Sequence, residues 1–314
     1  MKERAFVREV GLHDGLQGRK EILPTAAKLA WLEAEYEAGV REVEIGSFVP
    51  AKLSPQLADT DAVLRRSRGL KELKASVLIP NLKGAEKGLA LGARAMNFVL
   101  CVSDSYNRAT LRRSIEESVE ELHRVVSRCR NLPADRRPRI ACTLATAFGC
   151  PLEGAVEEDR VRRIALAAAE AGASEIMLAD TAGYGNPAAV DRLFHRVMAD
   201  VNPIPVRGHF HDGLGLGLAN VLAALGAGAR AFDASIGGLG GGPAAQGANG
   251  NIVSEDLAFM LEAMGLETGI DLGRLLEVRE ILAANLPRVA LRGALARSGI
   301  PRNFSARVAA SHKE

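Results

Sequence analysis

Aromatic side chains are scarce in this chain: three tyrosines, nine phenylalanines and one tryptophan among 314 residues. Few ring faces are left for stacking on bases. Charge of one sign is also missing, with 40 lysines and arginines set against 38 acidic residues and scattered along the chain rather than gathered on one face. Together these absences exclude the usual make-up of a nucleic-acid binder. Only four cysteines occur (Cys101, Cys129, Cys142, Cys150), at spacings that match no zinc motif. A chain of this size needs no disulfide staples, so a reducing compartment is expected. No apolar run approaches the roughly 20 residues that span a bilayer. The opening "MKERAFVREVG" is charged and runs directly into a strand-like segment, without a signal-peptide apolar region, and a cytoplasmic protein is expected. The first strand-to-helix turn has no G-x-G-x-x-G, which removes the simplest dinucleotide-binding reading.

What is present is one alternation, repeated. Short aliphatic runs are each followed by a longer amphipathic stretch: "AFVREVGL" with a helix over 25–38, "REVEIGS" with 55–68, "LKASVLI" with 83–91, and "AMNFVLCV" with a long helix over 111–130. Four more units follow: "PRIACTLAT" with 157–171, "SEIMLADT" with 187–199, "PVRGHFHD" with 214–226, and "ARAFDASIG" with 254–264. Eight regular strand-helix units without a linker predict one (β/α)8 TIM barrel over 1–314, with additional C-terminal helices in a 271–314 extension. Glycines after several helices, at Gly39, Gly172 and Gly228, suit C-terminal caps.

In such a barrel, chemistry collects where strands end at their C-termini. Asp14 follows strand one, Glu44 ends strand two, Asp180 ends strand six, and His209 and His211 end strand seven. Side chains two apart on a strand share a face, so the two imidazoles can meet one divalent ion, with Asp14 as an oxygen ligand from across the barrel. The alternative is a pair of histidines satisfied by hydrogen bonds in a polar barrel mouth. Asp212, on the opposite face, is expected to cap a helix beginning at Leu214. The glycine-rich stretch "GGLGGGPAAQGANGN", residues 237–251, stands after strand eight, where it can approach a ligand closely or remain a plain surface loop. It ends in Asn251, whose amide oxygen could be a further ligand.

The segments "EVGLHDGLQ", "SFVP" with "PQLAD", "IPNLKG", "FGCPLEG", "ADTAGYGNP", "HFHDGLG", "GLGGGPAAQGANGN" and "SEDLAFMLEAMGLETGIDL" together resemble the 3-hydroxy-3-methylglutaryl-CoA lyases, within the wider group of metal-dependent barrel lyases and acyl-transferring synthases. The resemblance runs in one order from about residue 4 to about residue 285. It implies a divalent cation, Mg²⁺ or Mn²⁺ first and Zn²⁺ or Co²⁺ second, held by Asp14, His209, His211 and Asn251. It also implies retro-aldol cleavage of an acyl-CoA substrate, catalytic roles for His13, Glu44 and Asp180, substrate contacts by Gln17, Gly241 and Gly242, and a homodimer. Neither nucleic acid nor membrane is expected as a partner.

Two positions depart from the family pattern. His13 stands where the family has an arginine, in G-P-R-D-G-L-Q, and Gly242 stands where the family loop has a cysteine, in "GGCP". In the family chemistry the arginine stabilises a thioester enolate and the loop cysteine assists its protonation. A neighbouring divalent ion repels an imidazolium, so His13 is expected to be mostly neutral near pH 7 unless Glu44 or Asp180 lies close enough to offset the ion. Cys150, after strand five, is expected to fill its loop as a small apolar side chain rather than to replace the missing thiol.

Overall fold

The first strand, β1 (Phe6–Glu9), runs into a buried π-helical turn, Gly11–Gly15, and is followed by α1 (Thr25–Glu37), β2 (Glu42–Ser47) and α2 (Thr60–Ser67). This is a computed structural model, and it describes residues 3–241 and 250–304. The chain continues through β3 (Lys74–Ile79), α3 (Leu82–Ala90), β4 (Ala95–Cys101), α4 (Asp104–Leu111), α5 (Ile115–Arg130), β5 (Arg139–Ala145) and α6 (Glu158–Ala171). Then come β6 (Glu175–Asp180), α7 (Pro187–Val201), β7 (Val206–Phe210), α8 (Gly217–Gly226), β8 (Ala231–Ala234) and α9 (Ser254–Ala263). The eight strands are all parallel and close in chain order, β8 pairing back onto β1 through Phe6–Ala231 and Glu9–Ala234. The expected (β/α)8 barrel is the fold, and α10 (Leu272–Asn285) and α11 (Ala294–Ser298) follow it.

Alternation along the strands separates two interiors. Val43, Val77, Phe98, Leu144, Ile176 and Phe232 are fully buried in the layer between strands and helices. Each such side chain contributes about 1.5–3 kcal/mol relative to its exposed state. The other strand face is polar: Arg8, Glu44, Asn97, Thr143, Arg207 and Asp233 are buried, Asp233 accepting from Arg8 and paired with Arg207, and Asn97 linking Glu44 to Thr143. A lumen of this kind departs from the branched apolar layers usual in these barrels.

Three helix boundaries differ from expectation. The helix expected over 55–68 is a short 3₁₀ turn, Pro55–Leu57, followed by α2. The long helix expected over 111–130 is α5 alone, because α4 closes at Arg112 in the left-handed region (φ 57°) and Ser114 opens a new helix with a capping box. Ser114 Oγ accepts from Glu117 N, and the Glu117 carboxylate accepts from Ser114 N. The helix expected from Leu214 begins at Gly217, whose N–H donates to Asp212 Oδ1 at 2.9 Å, so Asp212 serves that helix from five residues upstream. Gly39, Gly172 and Gly228 carry the positive φ that a helix-ending residue needs.

Candidate active site

The π-helical turn decides where His13 and Asp14 go. Gly15 N reaches back five residues to Val10 O at 3.2 Å, so the turn after β1 is one residue wider than an α-turn. Gly11 allows it, since a Cβ there would stand 2.5 Å from the Trp31 ring and 2.6 Å from Glu9 Oε1. His13 and Asp14 are thereby turned inward and buried.

Asp14, His209 and His211 each offer a ligand atom, and those atoms all lie within 4.8 Å of one another. Asp14 Oδ2 is 3.4 Å from His211 Nε2 and 2.5 Å from Asn251 Nδ2, and Gln17 Nε2 donates to Asp14 Oδ1. Gln17, expected at the substrate, thus reaches a candidate ligand. Asn251 Nδ2 also donates to Leu239 O at 2.9 Å, and Asn251 Oδ1 is buried without a partner among the described residues. A buried amide oxygen without a donor costs about 1–3 kcal/mol. One carboxylate, two imidazoles and that oxygen fit a hard or borderline divalent ion. Gly240 completes the fit: a Cβ there would collide with the Asn251 side-chain nitrogen and approach Asp14 Oδ2 to 3.2 Å.

Charge is arranged accordingly. Burial would raise the Asp14 carboxyl, but the hydrogen bond and charge of His211, with the charge of His209, outweigh it and hold the group far below the usual carboxylate range. His209 is pulled down by burial and raised, on balance, by its hydrogen bond to Asp233 Oδ2 at 3.1 Å. That bond takes Nδ1 and leaves Nε2 for an ion, the carboxylate–histidine arrangement that orients metal ligands. Asp233 is itself held ionised, against burial, by Arg8 at 2.8 and 2.9 Å. Replacing Asp233 by Asn is expected to weaken divalent-ion affinity about 10- to 100-fold, measured by titration calorimetry on folded protein. Unchanged affinity would show that His209 needs no orienting partner.

His13 lies beside this group, in surroundings that favour its charged form. Its Nδ1 is 2.6 Å from Glu44 Oε1, and although burial pulls the imidazole down, the charge and hydrogen bond of Glu44 raise it overall. Glu44 is in turn held low, against burial, by His13. The second Glu44 oxygen accepts from Asn97 Nδ2 at 2.9 Å, and Thr143 Oγ1 donates to Asn97 Oδ1 at 2.7 Å. Of the two carboxylates named as able to offset an ion's repulsion of His13, Glu44 is the one in contact with it. Asp180 is buried, which raises its pKa, and each of its oxygens accepts one backbone N–H, from Tyr184 and from Gly185, both at 2.9 Å.

Gly241 is the last described residue of the loop's rising limb, half-buried and at positive φ (103°), while Gly242 falls outside the described residues. Both flanks of the loop are held by the C-terminal extension: Arg292 donates to Gly238 O and to Asn251 O, each at 2.9 Å. Cys150 is buried and its sulfur accepts from Leu152 N and Glu153 N at 3.3 and 3.4 Å, so it shapes its own turn. Arg8, Asn97, Thr143, Asp233 and Arg292 were not singled out from sequence, although period-two alternation puts Asp233, Asn97 and Thr143 on the lumen face.

Behind the turn lies a carboxylate whose proton is part of the fold. Glu9 accepts from Gly11 N and Ile236 N at 2.8 and 3.1 Å and from Ser254 Oγ at 2.5 Å, and burial pushes its pKa up to about 8. The native state therefore holds a proton that the unfolded chain releases near pH 4.5. Stability from this group is full below that pH and is lost as pH rises through about 8. Glu9→Gln, which mimics the protonated acid, is expected to flatten the fall of Tm between pH 6 and 9, and an identical slope in both proteins would count against a buried neutral Glu9.

Residues 5–282 match the family model described as HMGL-like. The cytoplasmic 3-hydroxy-3-methylglutaryl-CoA lyase of Mus musculus is 36% identical over 282 residues, covering 90% of this chain and 81% of the relative. The mitochondrial hydroxymethylglutaryl-CoA lyase of the same organism is 38% identical over 288 residues, covering 92% and 87%. A structure of an HMG-CoA lyase from Acenitobacter baumannii in complex with coenzyme A and 3-methylmalate superposes with a TM-score of 0.88 at 37% identity, covering 96% of this chain and 97% of that one. The HMG-CoA lyase of Bacillis subtilis gives the same TM-score at 33% identity, covering 94% and 97%. Among the described residues no helix is long and apolar enough to cross a membrane.

Proposed function

Because the chain belongs to the HMGL-like family, we propose that it is a divalent-metal-dependent carbon–carbon lyase that cleaves 3-hydroxy-3-methylglutaryl-CoA, or a related 3-hydroxyacyl-CoA, to acetyl-CoA and a keto acid. The observation that carries this reading is the largely buried Asp14–His209–His211 cluster beside Asn251 Oδ1, which has no hydrogen-bond partner among the described residues, with His13 next to it in surroundings that favour its charged form. Asp14, His209, His211 and Asn251 would hold the ion. Once bound, it would supply Lewis acidity toward the substrate's oxygen atoms.

The remaining chemistry is assigned to this chain's side chains. The C3 hydroxyl gives up its proton as its oxygen becomes a carbonyl; the C2–C3 bond breaks and its electron pair passes into the thioester, forming an enolate that takes a proton at C2. Asp180 is assigned the hydroxyl proton, since its raised pKa suits a base and each oxygen keeps a lone pair after accepting its amide N–H. His13 is assigned the enolate oxygen, donating from the ring nitrogen that Glu44 does not use. Glu44 favours the protonated form of that imidazole, which would restore part of the positive charge that the family's arginine carries.

A second reading keeps the reaction and changes the acid. His13 and Gly242 both stand at positions where the resemblance expects other side chains, and one structural neighbour was solved with coenzyme A and 3-methylmalate. A smaller hydroxy acid carried on coenzyme A, such as citramalyl-CoA, fits that reading. Incubation with Mg²⁺ or Mn²⁺ and a panel of 3-hydroxyacyl-CoA thioesters is expected to release acetyl-CoA from at least one member and to stop on chelation. Release from 3-hydroxy-3-methylglutaryl-CoA supports the first reading, release only from another thioester supports the second, and no release from any member removes both.

A further inference from the structure

The barrel has a second mouth, at the strands' N-terminal ends, and it is not closed. A cavity of about 750 Å³ opens there, within the roughly 300–1,000 Å³ typical of small-ligand sites. Its lining includes the first residue of every strand except β7, among them Phe6, Lys74, Arg139 and Glu175. In this fold that face ordinarily serves stability, whereas chemistry occupies the opposite one.

The floor of the cavity is electrically closed. Arg8, Arg207 and Lys74 meet Glu42, Glu175 and Asp233: Arg207 reaches Glu42 at 2.6 Å and Glu175 at 3.0 Å, Arg8 reaches Asp233 at 2.8 Å, and Lys74 reaches Glu42 at 3.0 Å. Three cations face three carboxylates. The rim is different. Arg68, Arg94 and Arg139 line the same cavity, are exposed, and have no carboxylate oxygen within 4 Å among the described residues. Arg68 donates to Leu91 O at 3.2 Å and Arg94 to Asp135 O, both backbone carbonyls that leave the guanidinium charge unneutralised. Arg94 and Arg139 are also fixed side by side, since Arg139 N donates to Arg94 O at 2.9 Å where β4 and β5 begin.

Between floor and rim the wall is apolar, with Leu70, Leu73, Ala75 and Met96 among its residues. Uncompensated guanidinium forks suit oxyanions, which they can meet with paired hydrogen bonds. An apolar wall beneath them suits the organic body that carries those oxyanions.

We propose that the N-terminal mouth of the barrel is a binding site for a small organic polyanion, its phosphate or carboxylate groups met by Arg68, Arg94 and Arg139 and its body laid on the Leu70–Leu73–Ala75 wall. The site lies at the end of the barrel away from Asp14 and His209 and does not depend on what is cleaved there.

Titration calorimetry of the metal-loaded protein, with AMP, inorganic phosphate and tricarballylate as probes, tests this. Binding of AMP or tricarballylate is expected, weakening as salt is added and falling at least tenfold in Arg94→Ala/Arg139→Ala. Preference for AMP identifies a phosphate ester, and preference for tricarballylate a polycarboxylate. The side chains replaced are exposed, so an unchanged Tm and unchanged lyase turnover are expected; Arg68→Ala gives an independent measurement on a different element. No binding by any probe, or binding that survives both variants, overturns the proposal.

Discussion

Asp14→Asn is expected to abolish tight divalent-ion binding and to lower kcat by on the order of 10³-fold, about 4 kcal/mol of the several that a Lewis acid contributes. Asp14 supplies the only carboxylate in the candidate ligand set, and the surrounding chain is built to keep it ionised: His211 and His209 hold it far below its usual range despite burial. An amide keeps the shape and removes the charge. Metal content after gel filtration and steady-state rates on a cleaved thioester check the result, with circular dichroism as the control for folding. Stoichiometric metal and full turnover in the variant would end the assignment of this cluster as the electrophile.

His13→Ala is expected to behave differently, lowering kcat about 10²- to 10³-fold while metal content stays the same. The imidazole touches Glu44 rather than the ligand cluster, so its loss removes a donor and leaves the ion's own contacts in place. Among the described residues Glu44 would then keep its hydrogen bond from Asn97. Loss of metal together with activity would instead make His13 a structural part of the ion site. The converse change is informative too. His13→Arg combined with Gly242→Cys is expected to raise turnover of 3-hydroxy-3-methylglutaryl-CoA, and unchanged or lower turnover would mark the two residues as fitted to another acid.

The contrast between these residues shows where sequence reasoning reached and where it stopped. His209 and His211 were legible because a strand repeats every two residues: H-x-H fixes a shared face whatever the rest of the molecule does. Asp14 and Asn251 were legible from their place after the first strand and at the end of the glycine-rich stretch, together with the resemblance. The pairing of His13 with Glu44 was not legible, since the 2.6 Å between them is set by how β1 and β2 register and by the π-helical turn between Glu9 and Leu16. The break between α4 and α5 was missed for a related reason: "LRRSIEES" reads as one amphipathic run, and the helix ends there because Arg112 turns left-handed and Ser114 caps a new start.

The sequence by itself determined the alternation of strands and helices, the closed barrel it builds, the family, and which strand ends carry imidazoles and carboxylates, because period-two and helical patterning are local properties of the chain. Tertiary structure alone decided that Asp233 orients His209, that Arg292 secures both flanks of the glycine-rich loop, and that the other mouth of the barrel carries three guanidiniums without an ion-pair partner among the described residues. Those pairings join residues far apart in the chain, and their energies depend on burial and on distances of a few ångströms that only closure of the barrel fixes.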